Sequence, residues 1–192
     1  MVADNLLLQS QRLTAEARRL IDRQRQAEAD KIINRYQWVG GGVIAATPLP
    51  GVDLLATAAV NAQMVVELGR VYGCSVSIEE GKALALSLAK TLTGLGIVKG
   101  AVQLLTLGLQ TNPATLLGGR AIQGVSGAYL TRIAGKSFVE YFRRSQDWGD
   151  GGISEVVQQQ FQLNRRDEFV QAFVQSAVER VVVPLRQHLA TD

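Results

Sequence analysis

Polar and apolar residues along this chain recur in steps of three and four, the spacing that lines one face of a helix. Residues 6–37 contain no proline or glycine and are rich in Arg, Gln, Glu and Ala. Leu13, Ala17, Leu20 and Ala27 fall on one stripe, with Ile21 and Ile32 beside it. This predicts one amphipathic helix. Leu6, Leu13 and Leu20 repeat every seven residues, but Gln9, Glu16 and Arg23 stand where a second apolar row would lie. The segment therefore reads as a plain amphipathic arm and not as a coiled coil.

The pattern changes at Trp38. The stretch "WVGGGVIAATPLPGVDLLATAAVNAQMVV" is almost wholly apolar, yet "TPLPGVD" at 47–53 interrupts it. Proline disfavours helical geometry in the residue before it, so Pro48 and Pro50 together end the first helix at Thr47. Pro50 suits the first turn of a new helix, where its missing N–H costs nothing. Asp53 then faces the positive end of that helix dipole. Pro48, Pro50, Gly51 and Asp53 are thus predicted to form a helix-turn-helix corner that requires no catalytic apparatus.

A second helix is expected from Pro50 to Val71. After "YGCSVS", Ser77 and Glu80 have the spacing of a capping box. They open a third helix over 78–109, with a bend near the glycines at 94–96. "QTNP" at 110–113 is a break, and Pro113 opens a fourth helix reaching Arg144. "SQDWGDGG" reads as a loop. A short helix from Ser154 follows, then a longer one capped by Asn164, with Pro184 bending or ending it. No segment alternates with period two. The expected fold is all-α, a helical bundle around the 47–53 corner: an amphipathic N-terminal helix (1–37), an apolar glycine-rich core (38–145) and a C-terminal helical arm (146–192).

Charge distribution sharpens this division. Residues 38–135 hold only 10 of the 37 charged side chains but 16 of the 19 glycines. Glycine inside a helix costs roughly 1 kcal/mol against alanine, so these need a reason. Gly96 with Gly100, and Gly127 with Gly135 through Thr131, place small residues one turn apart, as closely packed helices do. Yet no uncharged run makes a clean membrane span of about 20 residues. Pro48 and Pro50 break the first run, Asn61 and Gln63 dot the second, Asn112 and Pro113 break another, and Lys90 and Lys99 cut the third helix.

Signs of catalysis are nearly absent. The only histidine, His188, is near the end of the chain, and Cys74 has no histidine beside it. No cluster has metal-ligand spacing, and no cofactor is expected. "AGKSF" at 134–138 resembles the end of a phosphate-binding loop, but Leu130 stands where that loop needs glycine and a helix is expected where it needs a strand. Asp53 and Glu67, four turns apart, are the acids nearest the apolar region and would be buried ion pairs if they met Lys90 or Lys99. The net charge of +3 and the lack of a basic cluster with aromatics speak against nucleic acid. One cysteine fits a reducing compartment, and "MVADNLLLQSQRL" lacks the basic start of a secretory signal.

The segment "AATPLPGVDLLATAAVNAQMVVELGRVYG" resembles the domain-of-unknown-function family 697. The matching positions are Pro48, Leu49, Pro50, Gly51, Val52, Asp53, Tyr72 and Gly73, and "KTLTGLGIVKGA" and "GRAIQGVSGAYLTRIAGKSFVEYF" resemble the family's later helices. The resemblance covers about residues 30–145. It implies a helical domain that often follows a Ras-like GTPase domain, with some members membrane-associated, and it brings no catalytic residues. This chain carries no GTPase half, so it is expected either to stand alone or to be part of a longer protein. The leading expectation is a non-enzymatic module, cytoplasmic or bound to the cytoplasmic face of a membrane. Its expected partners are membrane lipid, a GTPase domain or a second copy of the chain. A soluble protein-interaction bundle using the charged arms, or a carrier of an apolar ligand, are the alternatives.

Overall fold

The computed structural model describes residues 2–46, 52–110 and 119–183, and every regular element among them is helical. In chain order these are α1 (Val2–Ala46), α2 (Val52–Val71), α3 (Ile78–Gly94), α4 (Ile97–Gln110), α5 (Gly119–Arg143), α6 (Gly152–Asn164) and α7 (Asp167–Ala177). A π-helical turn, Val178–Val182, continues α7. The all-α bundle expected from the periodicity is the observed fold. The 47–51 part of the corner, with Pro48, Pro50 and Gly51, lies outside the described residues, as do Pro113, Pro184 and His188. Asp53 stands in the first turn of α2.

The first helix has two parts with different surroundings. Its 45 residues give a rod of about 68 Å at 1.5 Å per residue, unbroken across residues 37 and 38. Residues 9–24 are exposed throughout. From Ala29 onward, Ala29, Ile32, Ile33 and Tyr36 are buried at helical spacing against α2 and α5.

The α5 helix is the axis of the body. Val125, Ala128, Tyr129, Ile133, Ala134, Phe138, Val139 and Phe142 are all buried, so it is apolar on several sides at once. It packs on α1, α2, α4 and α6. At Gly135 a Cβ atom would come within 2.6 Å of Ile33 Cγ1, so glycine there lets α1 and α5 approach closely. Gly81 does the same for α3 on α2, where a Cβ would meet the Ala62 carbonyl oxygen at 2.9 Å.

The connections at one end are built from capped and hydrogen-bonded turns. Ser77 and Glu80 form the expected capping box, each side chain bonded to the other's backbone N–H. In the α5–α6 loop, Ser145, Gln146 and Gly149 take positive φ, and the Gly149 N–H donates to Asp147 Oδ1. Trp148 folds back from this loop and stacks on Tyr141 at 4.5 Å between centroids.

The third helix bends where expected, sharply enough, at 71°, to divide into α3 and α4. Two expectations are corrected. Gly96 does not share a packing face with Gly100: it has φ of +71° at the break, with no heavy atom within 4 Å of where a Cβ would stand. Asn164 does not cap the last helix. It is the final residue of α6, its Nδ2 donating to the Gln160 carbonyl and its Oδ1 accepting from Arg132, while Arg166 takes the N-cap position of α7.

Candidate functional site: the apolar end of the bundle

The helices are arranged so that the least charged stretches gather at one end. Arg25 lies over Tyr72, and Arg35 and Tyr36 reach Glu67, so α1 and α2 run antiparallel. Asp30 meets Lys136 and Ile33 meets Gly135, so α1 and α5 are antiparallel too. Trp38 marks a level across the body. It stacks on Phe173 of α7 at 5.3 Å, and Phe173 meets Tyr129 of α5 edge-on at 5.3 Å. Gly108 of α4 faces Val174 at the same level.

Beyond that level lie the C-terminal ends of α1 and α4 and the N-terminal ends of α2 and α5. Residues 39–66 carry one charge, Asp53, and residues 100–131 carry one, Arg120. Among the described side chains near this level, Val39 and Leu107 are exposed, Leu107 to 66%. Val183, which follows the π-helical turn, is exposed as well. Burying a side chain such as leucine is worth about 1.5–3 kcal/mol. This end is poor in charge, and its described side chains Val39 and Leu107 are apolar groups left in water.

A ladder of rings and cations ties the C-terminal helix to this region. Arg132 sits 4.5 Å above Phe169, Phe169 stacks on Phe173, Phe173 on Trp38, and Arg180 lies 5.7 Å from the Trp38 ring. Cation–π contacts of this kind contribute about 0.5–2 kcal/mol each. The Arg132 Nε–H donates to Asn164 Oδ1 at 3.2 Å, and the Tyr129 hydroxyl donates to the Asn164 carbonyl at 2.8 Å. Burial pushes the Tyr129 hydroxyl up to about 12, keeping it a neutral donor. Burial also lowers the Arg132 pKa, with Asp30 opposing that shift.

The polar groups named from sequence serve the packing. Glu67 accepts from Arg35 and from the Tyr36 hydroxyl, not from Lys90 or Lys99, which are exposed. Lys136 pairs with Asp30 and is largely covered. Gly100 rests on the Phe161 ring, and Gly127 is half-buried in α5. "AGKSF" lies within α5, a helix and not a phosphate loop. Cys74 is a free, half-buried thiol.

Among the described residues, two clefts lie away from the apolar end. One of about 470 Å³ lies between the α3–α4 break and α6, lined by Gly96, Glu155, Gln158 and Phe161. The other, about 320 Å³, lies beside Glu80, Leu84 and Tyr141. Neither pairs a nucleophile with a base. Among the described residues no group of His, Cys, Asp and Glu could hold a metal ion. Also among them, no single helix is long and apolar enough to cross a membrane. The bent pair α3–α4 has the composition for a broken span. Its apolar face, however, with Leu88, Leu92, Ile97, Ala101 and Leu105, is buried in the body.

Sequence reading missed Trp38, Tyr129 and Arg132 as organising residues. Trp38 was marked by its place at the switch from charged to apolar sequence; the other two carried no local signal.

These features define an all-α domain with one charge-poor end and a long projecting helix. The chain matches the family model "Domain of unknown function (DUF697)" over residues 8–166 and belongs to that family. The match includes most of the projecting helix and all of α6. No curated protein and no solved structure matches the chain.

Proposed function

We propose that this chain is a non-enzymatic helical module that associates with a membrane through its apolar end. The observation that carries the reading is that the C-terminal ends of α1 and α4 and the N-terminal ends of α2 and α5 meet beyond Trp38, in stretches (39–66 and 100–131) that carry one charge each. Helix ends of this length reach into one leaflet and do not span the bilayer, whose hydrocarbon core is about 30 Å thick. The exposed Val39 and Leu107 side chains are the described contact points. Action alongside a GTPase, on the cytoplasmic face, is part of the proposal and rests on the family resemblance alone.

The test is co-flotation of the full chain with liposomes at low and high salt. Contact through apolar side chains persists when salt screens charges. Loss of binding at high salt would assign the contact to the arginines of the arm instead, and monodisperse protein that never floats would remove the proposal. A second reading, a protein-contact role for the arm, is favoured by its exposed leucines.

A further inference from the structure

The projecting half of α1 carries an apolar stripe that nothing in the body covers. Leu13 is 67% exposed, Leu20 60%, and Ile21 is exposed beside them. At 100° per residue, Leu13, Ala17, Leu20, Gln24 and Ala27 share one face. The residues that α1 turns to the body, Ala29, Ile32, Ile33 and Tyr36, lie on roughly the opposite face. A partner can therefore lie along the stripe without displacing α2 or α5.

The charges on this helix point to the partner. Residues 9–28 hold five arginines, with Glu16, Asp22 and Glu28 interspersed. A helix lying on an anionic membrane concentrates Lys and Arg on its polar face, and this one alternates signs. In an antiparallel helix pair, the residues that flank the core on one side, each just before a position of the second core row, meet their equivalents on the other helix. With Leu13, Leu20 and Ala27 in one core row and Ser10, Ala17 and Gln24 in the other, Glu16 and Arg23 occupy those flanking seats. A two-fold axis between Arg18 and Arg19 stacks Leu20 on Ala17 of the second copy, and Leu13 on its Gln24. It also sets Glu16 against Arg23 of the second copy, twice over. On the other flank Ile21 meets Thr14. The polar residues that argue against a coiled coil when Leu13 and Leu20 are seated in the other row become its pairing code.

We propose that the arm of α1 is a self-association surface, through which two copies of this chain pair antiparallel over residues 10–27 with their bodies at opposite ends. The overlap of 18 residues is about 27 Å long. This proposal is independent of membrane contact at the apolar end.

The test is the mass of the full chain by light scattering and sedimentation, in detergent where the free protein requires it. Wild type is expected to be a dimer. E16R and R23E should each raise its dissociation constant on the order of tenfold, since each replaces two exposed ion pairs by like charges. The double variant E16R/R23E should restore the dimer. L13E/L20E, at exposed positions that leave the helical signal intact, should be monomeric. Direction is read in a C74S background: an A17C chain should form a disulfide with an L20C chain and not with another A17C chain. A monomeric wild type, a double variant that stays dissociated, or A17C homodimers would each overturn the proposal. A monomeric wild type whose vesicle binding is abolished by L13E/L20E would assign the stripe to lipid instead.

Discussion

The two ends of the helical body are made from the same helices but close in opposite ways. At the Trp148 end, the turns are polar and locally satisfied: the Ser77–Glu80 box, the Asp147–Gly149 hydrogen bond, and charges at Glu140, Arg143 and Arg144. At the Trp38 end, the sequence of the connections, "TPLPG" and "TNPATLLG", has no charged group at all. Stability alone does not call for that difference, because either kind of turn can reverse a chain. Apolar side chains left in water at one end add nothing to the stability of the body. The proposed membrane contact would give the Trp38 end an environment less polar than water, and so a reason for the asymmetry.

The largest effect is expected from charging that end. Val39→Lys with Leu107→Lys should reduce vesicle binding more than tenfold while leaving thermal unfolding nearly unchanged, because both side chains are exposed. Ile78→Lys, at an exposed position beside the capped turn of the other end, should bind as wild type. Equal losses at both ends would erase the distinction.

Next in size is a change at the waist that both ends share. Gly135→Val must push Ile33 aside and should cost about 1–3 kcal/mol of stability by overpacking. It is read in denaturant unfolding, and protein that remains folded should still bind vesicles by the same end.

A smaller loss, about 1 kcal/mol, is expected from Tyr129→Phe, which removes the donor to the Asn164 carbonyl. The Tyr129 pKa is raised above its unfolded value of 10, to about 12. The associated stability is whole below pH 10 and drains away as the pH rises from there to 12. Phenylalanine should remove that alkaline component, measured as the pH dependence of the unfolding midpoint.

The smallest effect belongs to the capped end. Hydrogen bonds from Ser77 hold the Glu80 carboxyl below the usual carboxylate range. Its contribution is present at neutral pH and is lost as acid protonates it. Glu80→Gln should flatten the acid limb of the stability curve slightly, without affecting lipid contact.

What was legible in the sequence followed from periodic and local signals. The α1 helix, the Ser77 box and the loop at 144–151 all announce themselves within a few residues. Glycine spacing was a poorer guide. Gly135 does mediate a close approach, but Gly96 looked identical in sequence and instead permits a left-handed turn. The Asn164 role and the Arg132–Phe169–Phe173–Trp38–Arg180 ladder were invisible, because they join elements brought together only by folding. The apolar end was half legible: each uncharged stretch could be counted, but only the antiparallel packing of α1 on α2 and α5 shows that they meet at one place.

The two tryptophans test the central claim most directly, since one stands at each end. In W148F only Trp38 fluoresces, and in W38F only Trp148 does. With vesicles whose acyl chains carry bromine, emission from Trp38 should be strongly quenched and that from Trp148 little changed. Quenching of Trp148 alone, or of neither in vesicle-bound protein, would contradict insertion through the apolar end.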